Sequence, residues 1–204
     1  MKPDTIGNKD TKLCFKHLIP HNSLVLSAGL GADISAETNL IAEKGCMVVG
    51  IDPCILTNQI FRGTKMLQNF MYLRYALSSS ENDVIMTEST DGEWIASTDP
   101  SHCSLTNNQT AKYKAPSLTL TNLLSTFKKV SYLKIDIEGG EYDIIRQTEN
   151  IDVPQLSIEF HDFAIPTFNK GDTKECIKKI ESWGYKTFDY GDGCEFLFVK
   201  KNLL

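Results

Sequence analysis

The chain has 204 residues, enough for one domain with a substantial core. Its 26 acidic residues outnumber 21 basic ones for a net charge of −5, and the basic residues form no stripe, so a nucleic-acid partner is not expected. No apolar run is long enough to span a bilayer, and the polar opening MKPDTIGNKDTK lacks the apolar stretch of an export signal, which predicts a cytoplasmic protein.

Residues 1–22 form a polar lead. The apolar run SLVL at 23–26 predicts a first strand, and it ends in SAGLGAD. A helix is predicted from Ser35 to Lys44, stopped by Gly45. CMVVGID at 46–52 predicts a second strand closed by Pro53, with ILTNQIFRGTKML as a helix after it. NFMYLRYAL at 69–77 predicts a third strand and DVIMT at 83–87 a small hairpin strand. From 88 to 115 the chain is polar and aperiodic, which predicts a long loop able to cover a substrate. Its Trp94, His102 and Tyr113 are candidates for stacking on an acceptor.

Leu118, Leu120, Leu123, Leu124 and Phe127 fall on one side of a predicted helix at 117–128. YLKIDI at 132–137 predicts a fourth strand and GEYDIIRQT the start of a helix. VPQLSIEFHDF at 153–163 predicts a fifth strand. The next helix has Asp172 or Thr173 as cap and Gly184 as stop, and KTFDY and CEFLFVK, split by GDG, predict a terminal hairpin. The six cysteines include no C-x-x-C pair, which predicts free thiols, and the sequon at Asn108 reads as chance.

Strands alternating with helices predict a single Rossmann-like α/β domain over 1–204, with a mostly parallel sheet wrapped on both faces. Right-handed crossovers bring the carboxyl ends of the strands to one edge, where ligands bind. Gly29 and Gly31 follow the first strand directly, allowing a tight turn and close approach of the backbone to a ligand. Asp52 ends the second strand about 20 residues on, placed to accept hydrogen bonds from the hydroxyls of a ribose. A nicotinamide dinucleotide asks for a third glycine where Ile34 stands, and Asp33 repels its diphosphate. S-adenosylmethionine has no phosphate and carries a positive sulfur and an ammonium. The turn favours that cofactor, with a nicotinamide-dependent oxidoreductase or a non-catalytic cofactor-binding module as the alternatives.

LSAGLGADISAETNL, VVGIDP, YLKIDIEGGEYDII and QLSIEFHDF, in that order, resemble the FkbM-type methyltransferases. The resemblance implies a class I fold, with seven strands in the order 3-2-1-4-5-7-6 and the last antiparallel. It implies an S-adenosylmethionine-dependent enzyme, mostly acting on oxygen, without fixing the acceptor; with the glycine turn, Asp52 and the acidic strand ends, the leading expectation is O-methylation of a small molecule or glycan. It also implies that Gly29, Gly31 and Asp33 line the methionine part, with Ser27 where many relatives carry an acid. Asp52 and the adjoining Pro53 would hold the ribose, Ala76, Leu77 and Ser78 would frame the adenine, and Asp136 would sit below the methyl donor. Many relatives have a G-A-N-x-G turn where this chain has GLGAD; a subgroup with S-x-G-x-G-x-D-x-S turns matches better.

Strand alternation sends Asp136 and Glu138 the same way if the fourth strand persists that far, with Gly139 and Gly140 turning the chain around the site. Glu141 and Asp143 fall in the first turn of the next helix, where negative charge favours the dipole; Glu141 also has a route into the cleft. Glu159 and His161 end the fifth strand and face the same cleft. Removal of an alcohol's proton by a placed base adds roughly 10²–10⁴-fold, and His161 suits that role, with Glu159 orienting it. Asp136, Glu159 and His161 also form a mixed oxygen and nitrogen set for a divalent metal, ranked below base catalysis.

Overall fold

The computed structural model describes residues 2–8, 12–63, 68–91, 94–106, 109–191 and 193–204. Asn108 and the end of the helix expected after Pro53 lie outside these residues. Two short strands, β1 (Asp4–Ile6) and β2 (Lys12–Cys14), pair antiparallel in the N-terminal lead. They are followed by β3 (Leu24–Ala28), α1 (Ser35–Lys44), β4 (Met47–Ile51), α2 (Ile55–Gly63) and β5 (Phe70–Leu73). Next come β6 (Ala76–Ser78), β7 (Val84–Ser89), β8 (Ala96–Ser97), α3 (Cys103–Thr106), β9 (Thr110–Ala115) and β10 (Ser117–Thr119). The chain closes with α4 (Leu120–Thr126), β11 (Val130–Ile135), α5 (Glu141–Gln147), β12 (Gln155–Glu159), α6 (Lys170–Ser182), β13 (Tyr185–Asp189) and β14 (Glu195–Lys200).

The main sheet has seven strands in the order β5-β4-β3-β11-β12-β14-β13. The first five pair in parallel, and β14 runs antiparallel to both β12 and β13. The central strands are largely apolar and buried because both faces are covered. One face packs Leu26, Leu133 and Ile158 against Leu123 of α4, Tyr142 and Ile145 of α5, and Ile180 of α6. The other packs Val25, Val48, Tyr132 and Leu197 against Leu40 of α1 and against Leu13, Phe15 and Ile19 of the N-terminal lead. Among the described residues no helix is long and apolar enough to cross a membrane. No disulfide joins any of the six cysteines.

The lead is therefore part of the core rather than a polar tail. Gln155 of β12 holds it through both backbone groups of Phe15: Phe15 N donates to Gln155 Oε1 at 2.8 Å, and Gln155 Nε2 donates to Phe15 O at 3.1 Å. Tyr132 OH donates to Leu13 O at 3.0 Å. Burying Leu13, Phe15 and Ile19 contributes roughly 1.5–3 kcal/mol each.

Several local expectations change. The strand expected at 69–77 breaks at Arg74 and Tyr75, and β6 leaves the main sheet to pair in parallel with β10. That pairing takes Ser117–Thr119 out of the expected helix, which starts at Leu120 with Thr119 as its cap, accepting from Asn122 N. The expected loop at 88–115 is a structured insert: β7, β8 and β9 form a three-stranded antiparallel sheet, with α3 between β8 and β9. The helix expected to be capped by Asp172 or Thr173 starts at Lys170. Asn169 is its cap, and Asp172 reaches back to accept from Asn169 N at 2.9 Å, a reciprocal capping box.

Candidate functional site

The exit of β3 is folded by its glycines and by Asp52. Gly29 has φ +78° and Gly31 φ +55°. A Cβ on Gly29 would lie 1.5 Å from Asp136 O, so the turn and the exit of β11 touch backbone to backbone. Gly31 meets nothing within 4 Å on that side; there it is the positive φ that asks for glycine. Asp52 Oδ2 accepts from Leu30 N at 2.8 Å and Gly31 N at 3.1 Å, and Oδ1 accepts from Cys54 N at 2.7 Å. Burial raises the Asp52 pKa, and these amides oppose the rise. The expected ribose acid is thus first the peg of the glycine turn, with Oδ1 keeping room for a further donor.

A cavity of about 260 Å³ opens above this turn. Gly29, Gly31, Asp33, Asp52, Pro53, Ala76, Leu77, Asp136 and Glu138 line it, all of them marked in the sequence. The insert supplies the far wall through Met86, in the strand expected at 83–87, and through Trp94, Ile95, Ala96 and Thr98, which pattern reading left in a loop. The insert is clamped to the lip of the cavity at two points. The Glu88 carboxylate accepts from Ile55 N and Leu56 N at the start of α2, at 3.0 and 3.2 Å, and Tyr113 OH donates to Pro53 O at 3.0 Å. Tyr113 is thereby a strut of the lip and not a stacking platform.

Ser27 and Ser78 fall outside the cavity lining. Ser27 Oγ donates to Glu37 Oε1 of α1 at 2.5 Å, inside the core. Ser78 Oγ accepts from Ser80 N in its own turn and borders a separate surface hollow. Asp33 lines the cavity and also accepts from Ser35 N at 2.9 Å, joining the turn to α1.

At the exit of β11 the strand ends at Ile135, so alternation does not aim Glu138. A left-handed backbone does: Glu138 has φ +59° and Gly139 φ +109°. Glu141, expected to serve the helix dipole, is fully buried and ties this turn instead. Its Oε1 accepts from Ile137 N at 2.8 Å and its Oε2 from Gly139 N at 2.9 Å.

Glu159 leaves the cleft altogether. Its Oε2 lies 2.6 Å from Lys12 Nζ, on the face covered by the N-terminal lead. Lys12 Nζ also lies 3.1 Å from Asp136 Oδ2 and 3.3 Å from Glu195 Oε2. Lys134 adds a contact of 3.3 Å to Asp136 Oδ2 and donates to Gly29 O. Burial would raise the Asp136 pKa, but Lys134, Lys12 and His161 outweigh it and hold the carboxyl well below the usual range. Burial and Asp136 push Glu159 upward against Lys12.

His161 does not line the cavity; it is buried behind Glu138. Its Nδ1 lies 3.2 Å from Glu141 Oε1, and its Nε2 lies 3.3 Å from Glu138 Oε2 and 3.7 Å from Asp136 Oδ1. Burial disfavours its charged form, but Glu141, Glu138 and Asp136 more than offset this and lift its pKa to about 10. His102 of the insert, expected to stack on an acceptor, joins the same cluster, with Nε2 3.0 Å from Glu138 Oε2. Glu138 thus stands in front of two histidines. The metal set expected from Asp136, Glu159 and His161 changes one member: among the described residues, Asp136, Glu138 and His161 bring ligand atoms within 4.8 Å of one another.

A doubly covered parallel sheet, a glycine turn pegged by the acid of the next strand, and an acidic exit one strand over define a nucleoside-cofactor cleft of the class I methyltransferase kind. The chain belongs to the FkbM methyltransferase family: the family's model, "Methyltransferase FkbM domain", matches residues 20–187. The family uses S-adenosylmethionine, which answers the nicotinamide alternative. Among solved structures the chain resembles the Methanococcus jannaschii fibrillarin pre-rRNA processing protein, at 10% identity and TM-score 0.51, over 90% of this chain and 68% of that one. It also resembles a fibrillarin/Nop5p complex at 11% identity and TM-score 0.49, over 88% of this chain and 72% of that one. The first likeness shows the fold. No curated protein matches in sequence.

The residues present suit S-adenosylmethionine. The cavity side of Gly31 is open, Asp52 Oδ1 can take another donor, and Asp33, Asp136 and Glu138 place negative charge along the wall. That charge fits a sulfonium and an ammonium and repels a phosphate.

Proposed function

We propose that the chain methylates a hydroxyl group of a small molecule or glycan. The reading rests on Glu138, which lines the cavity beside the glycine turn with its side chain 27% exposed, in front of two buried histidines. Bound S-adenosylmethionine supplies an electrophilic methyl group on a positively charged sulfur. Gly29, Gly31 and Asp33 hold its methionine part, Asp52 and Pro53 its ribose, and Ala76 and Leu77 its adenine, with Met86 and Trp94 closing the apolar wall.

Most of the rate gain comes from holding the acceptor oxygen in line with the carbon–sulfur bond. The acceptor's proton passes to Glu138, which lines the cavity with its side chain more exposed than that of Asp136. His161 and His102 are positioning residues in this scheme, since they reach the acceptor only through Glu138. Asp136, kept ionised by Lys12 and Lys134, supplies fixed negative charge beside the sulfonium. A net charge of −5 speaks against a nucleic-acid acceptor.

The test is methyl transfer from radiolabelled S-adenosylmethionine to a panel of hydroxylated small molecules and oligosaccharides, with Glu138→Gln beside the native chain. Transfer to oxygen, lowered by roughly 10²-fold or more in the variant, supports the reading. Transfer only to amines, or transfer indifferent to Glu138, ends it.

A further inference from the structure

His161 is buried among three carboxylates, and the charge they favour there is positive. Its Nδ1 lies 3.2 Å from the buried Glu141 carboxylate without an aligned hydrogen bond. Nε2 lies 3.3 Å from Glu138 Oε2 and 3.7 Å from Asp136 Oδ1. The ring proton supplies that charge when no ion is bound, and a cation taken up at Nε2 would displace it and meet both carboxylates. Edges of this length match the spacing between neighbouring ligands around a metal with bonds of about 2.1 Å. Imidazole held by a buried carboxylate on its far nitrogen is the usual outer arrangement of a metal-bound histidine.

Asp136 divides its two oxygens in a way that fits. Oδ2 faces Lys12 and Lys134, and Oδ1 faces His161. A second, independent observation comes from the insert. His102 is 2% exposed, and its Nδ1 accepts from Ser104 N at 3.3 Å, so its proton sits on Nε2. That Nε2 is buried, lies 3.0 Å from Glu138 Oε2 at the edge of the cluster, and has no hydrogen-bond partner among the described residues. Counting Asp136, Glu138, Glu141 and Glu159 against Lys12, Lys134 and the His161 ring, the surroundings still hold more negative charge than positive.

We propose that Asp136, Glu138 and His161 bind a divalent cation of the Mn²⁺ or Mg²⁺ kind, with His102 and Glu141 orienting two of its ligands. One imidazole with two carboxylates suits such an ion, and the cavity-facing side leaves positions for oxygen from an acceptor. The cation site stands on these side chains alone; its use in catalysis rests on the methyl-transfer reading above. In that use, an acceptor hydroxyl on the metal becomes more acidic. Its oxygen forms the new bond to the methyl carbon, its proton leaves to Glu138 Oε1 and then to water, and the carbon–sulfur electron pair returns to sulfur.

The experiment is a Mn²⁺ titration of the full chain, freed of metal by chelator and dialysis, followed by electron paramagnetic resonance. Pulsed detection reads nitrogen coupling to the bound ion. Each sample is also melted with and without S-adenosylhomocysteine. One bound Mn²⁺ with a nitrogen signal is expected. The signal disappears in His161→Gln, and the affinity falls roughly tenfold to a hundredfold in His102→Ala. Glu138→Gln, the most exposed ligand and the mildest change, weakens binding at least as much. Chain that melts cooperatively yet binds no Mn²⁺ at millimolar concentration overturns the proposal, as does binding unchanged in all three variants. A thermal shift with S-adenosylhomocysteine but no Mn²⁺ binding removes the metal and leaves the methyltransferase reading intact. Mn²⁺ binding without transfer to any hydroxyl keeps the site and removes its catalytic use.

Discussion

Lys12 Nζ lies 2.6 Å from Glu159 Oε2 and 3.1 Å from Asp136 Oδ2, so one lysine of the N-terminal lead joins the carboxyl ends of two adjacent strands. The lysine is 2% exposed, which places this contact in the interior. Lys12 lies outside residues 20–187, the stretch matched by the family model.

Replacing Lys12 by methionine keeps the stem and removes the charge. Three carboxylates, Asp136, Glu159 and Glu195, then lose their shared partner. Removing one side of a buried ion pair typically costs about 3–5 kcal/mol. A loss of that order is expected in the urea midpoint of Lys12→Met at neutral pH. A loss under about 1 kcal/mol would show the lysine to be no more than a surface partner.

The two turn glycines separate shape from conformation. Gly29→Ala drives a methyl group into Asp136 O, at 1.5 Å for an unrelaxed Cβ, and backbone cannot step aside cheaply. That variant is expected to lose cooperative melting or to fail to accumulate as folded protein. Gly31→Ala meets no atom within 4 Å and bears only the cost of φ +55°, about 1–2 kcal/mol. It should melt cooperatively a few degrees lower and bind S-adenosylhomocysteine more weakly, as read by calorimetry. Equal behaviour of the two variants would contradict this account.

Glu141 offers a similar separation. Its two oxygens accept from Ile137 N and Gly139 N, and glutamine has only one oxygen to offer. Glu141→Gln leaves one amide facing an NH₂ group, a cost of about 1–3 kcal/mol for a buried unsatisfied donor. Amide exchange of Gly139 should speed up in the variant, because the turn that aims Glu138 is loosened. Protection at Gly139 equal to that of the native chain would place the hold on the turn elsewhere.

Much of this architecture was legible because its parts are local. SLVL, CMVVGID and YLKIDI are continuous apolar runs with glycine, proline or acid at their ends, as doubly covered strands require. The glycine turn and Asp52 carry their geometry in their spacing. The insert was not legible: β9 runs TAKYKA with most of its residues exposed, so no apolar periodicity marks it as a strand. The break at Arg74 and Tyr75 depends on β10, whose pairing with β6 draws Ser117–Thr119 out of a helical pattern. Glu159 does end β12, but His161 lies two residues past it and neither lines the cavity, because their surroundings come from far along the chain. Lys12 is 147 residues from Glu159, and nothing local distinguishes it from a solvated lysine. His102 gave only its residue type, and its meeting with Glu138 depends on how the insert folds back. Glu141 read as an ordinary acidic first turn because helix position says nothing about which backbone amides nearby lack partners.

Glu195 gives a pH dependence with a definite sign. Burial pushes its carboxyl up from 4.5 to about 7, against the pull of Lys12 and the hydrogen bond from Ser157 Oγ. Below pH 4.5 the folded and unfolded chains both hold the proton, and the group contributes nothing to the slope. Between about 4.5 and about 7 the unfolded chain releases its proton while the folded chain keeps it, so stability falls as pH rises. Above about 7 both forms are ionised and the fall levels off, at up to about 3 kcal/mol. Glu195→Gln cannot titrate and keeps an acceptor for Ser157 Oγ. His161 and Glu159 remain in both proteins, so the quantity to follow is the difference in unfolding free energy between native chain and variant. That difference should move in favour of the variant from pH 5 to pH 8, most steeply near about pH 6 and levelling off above about 7, in urea titrations at matched ionic strength. A constant difference across this range would mean that Glu195 is already ionised throughout, held so by Lys12 despite its burial.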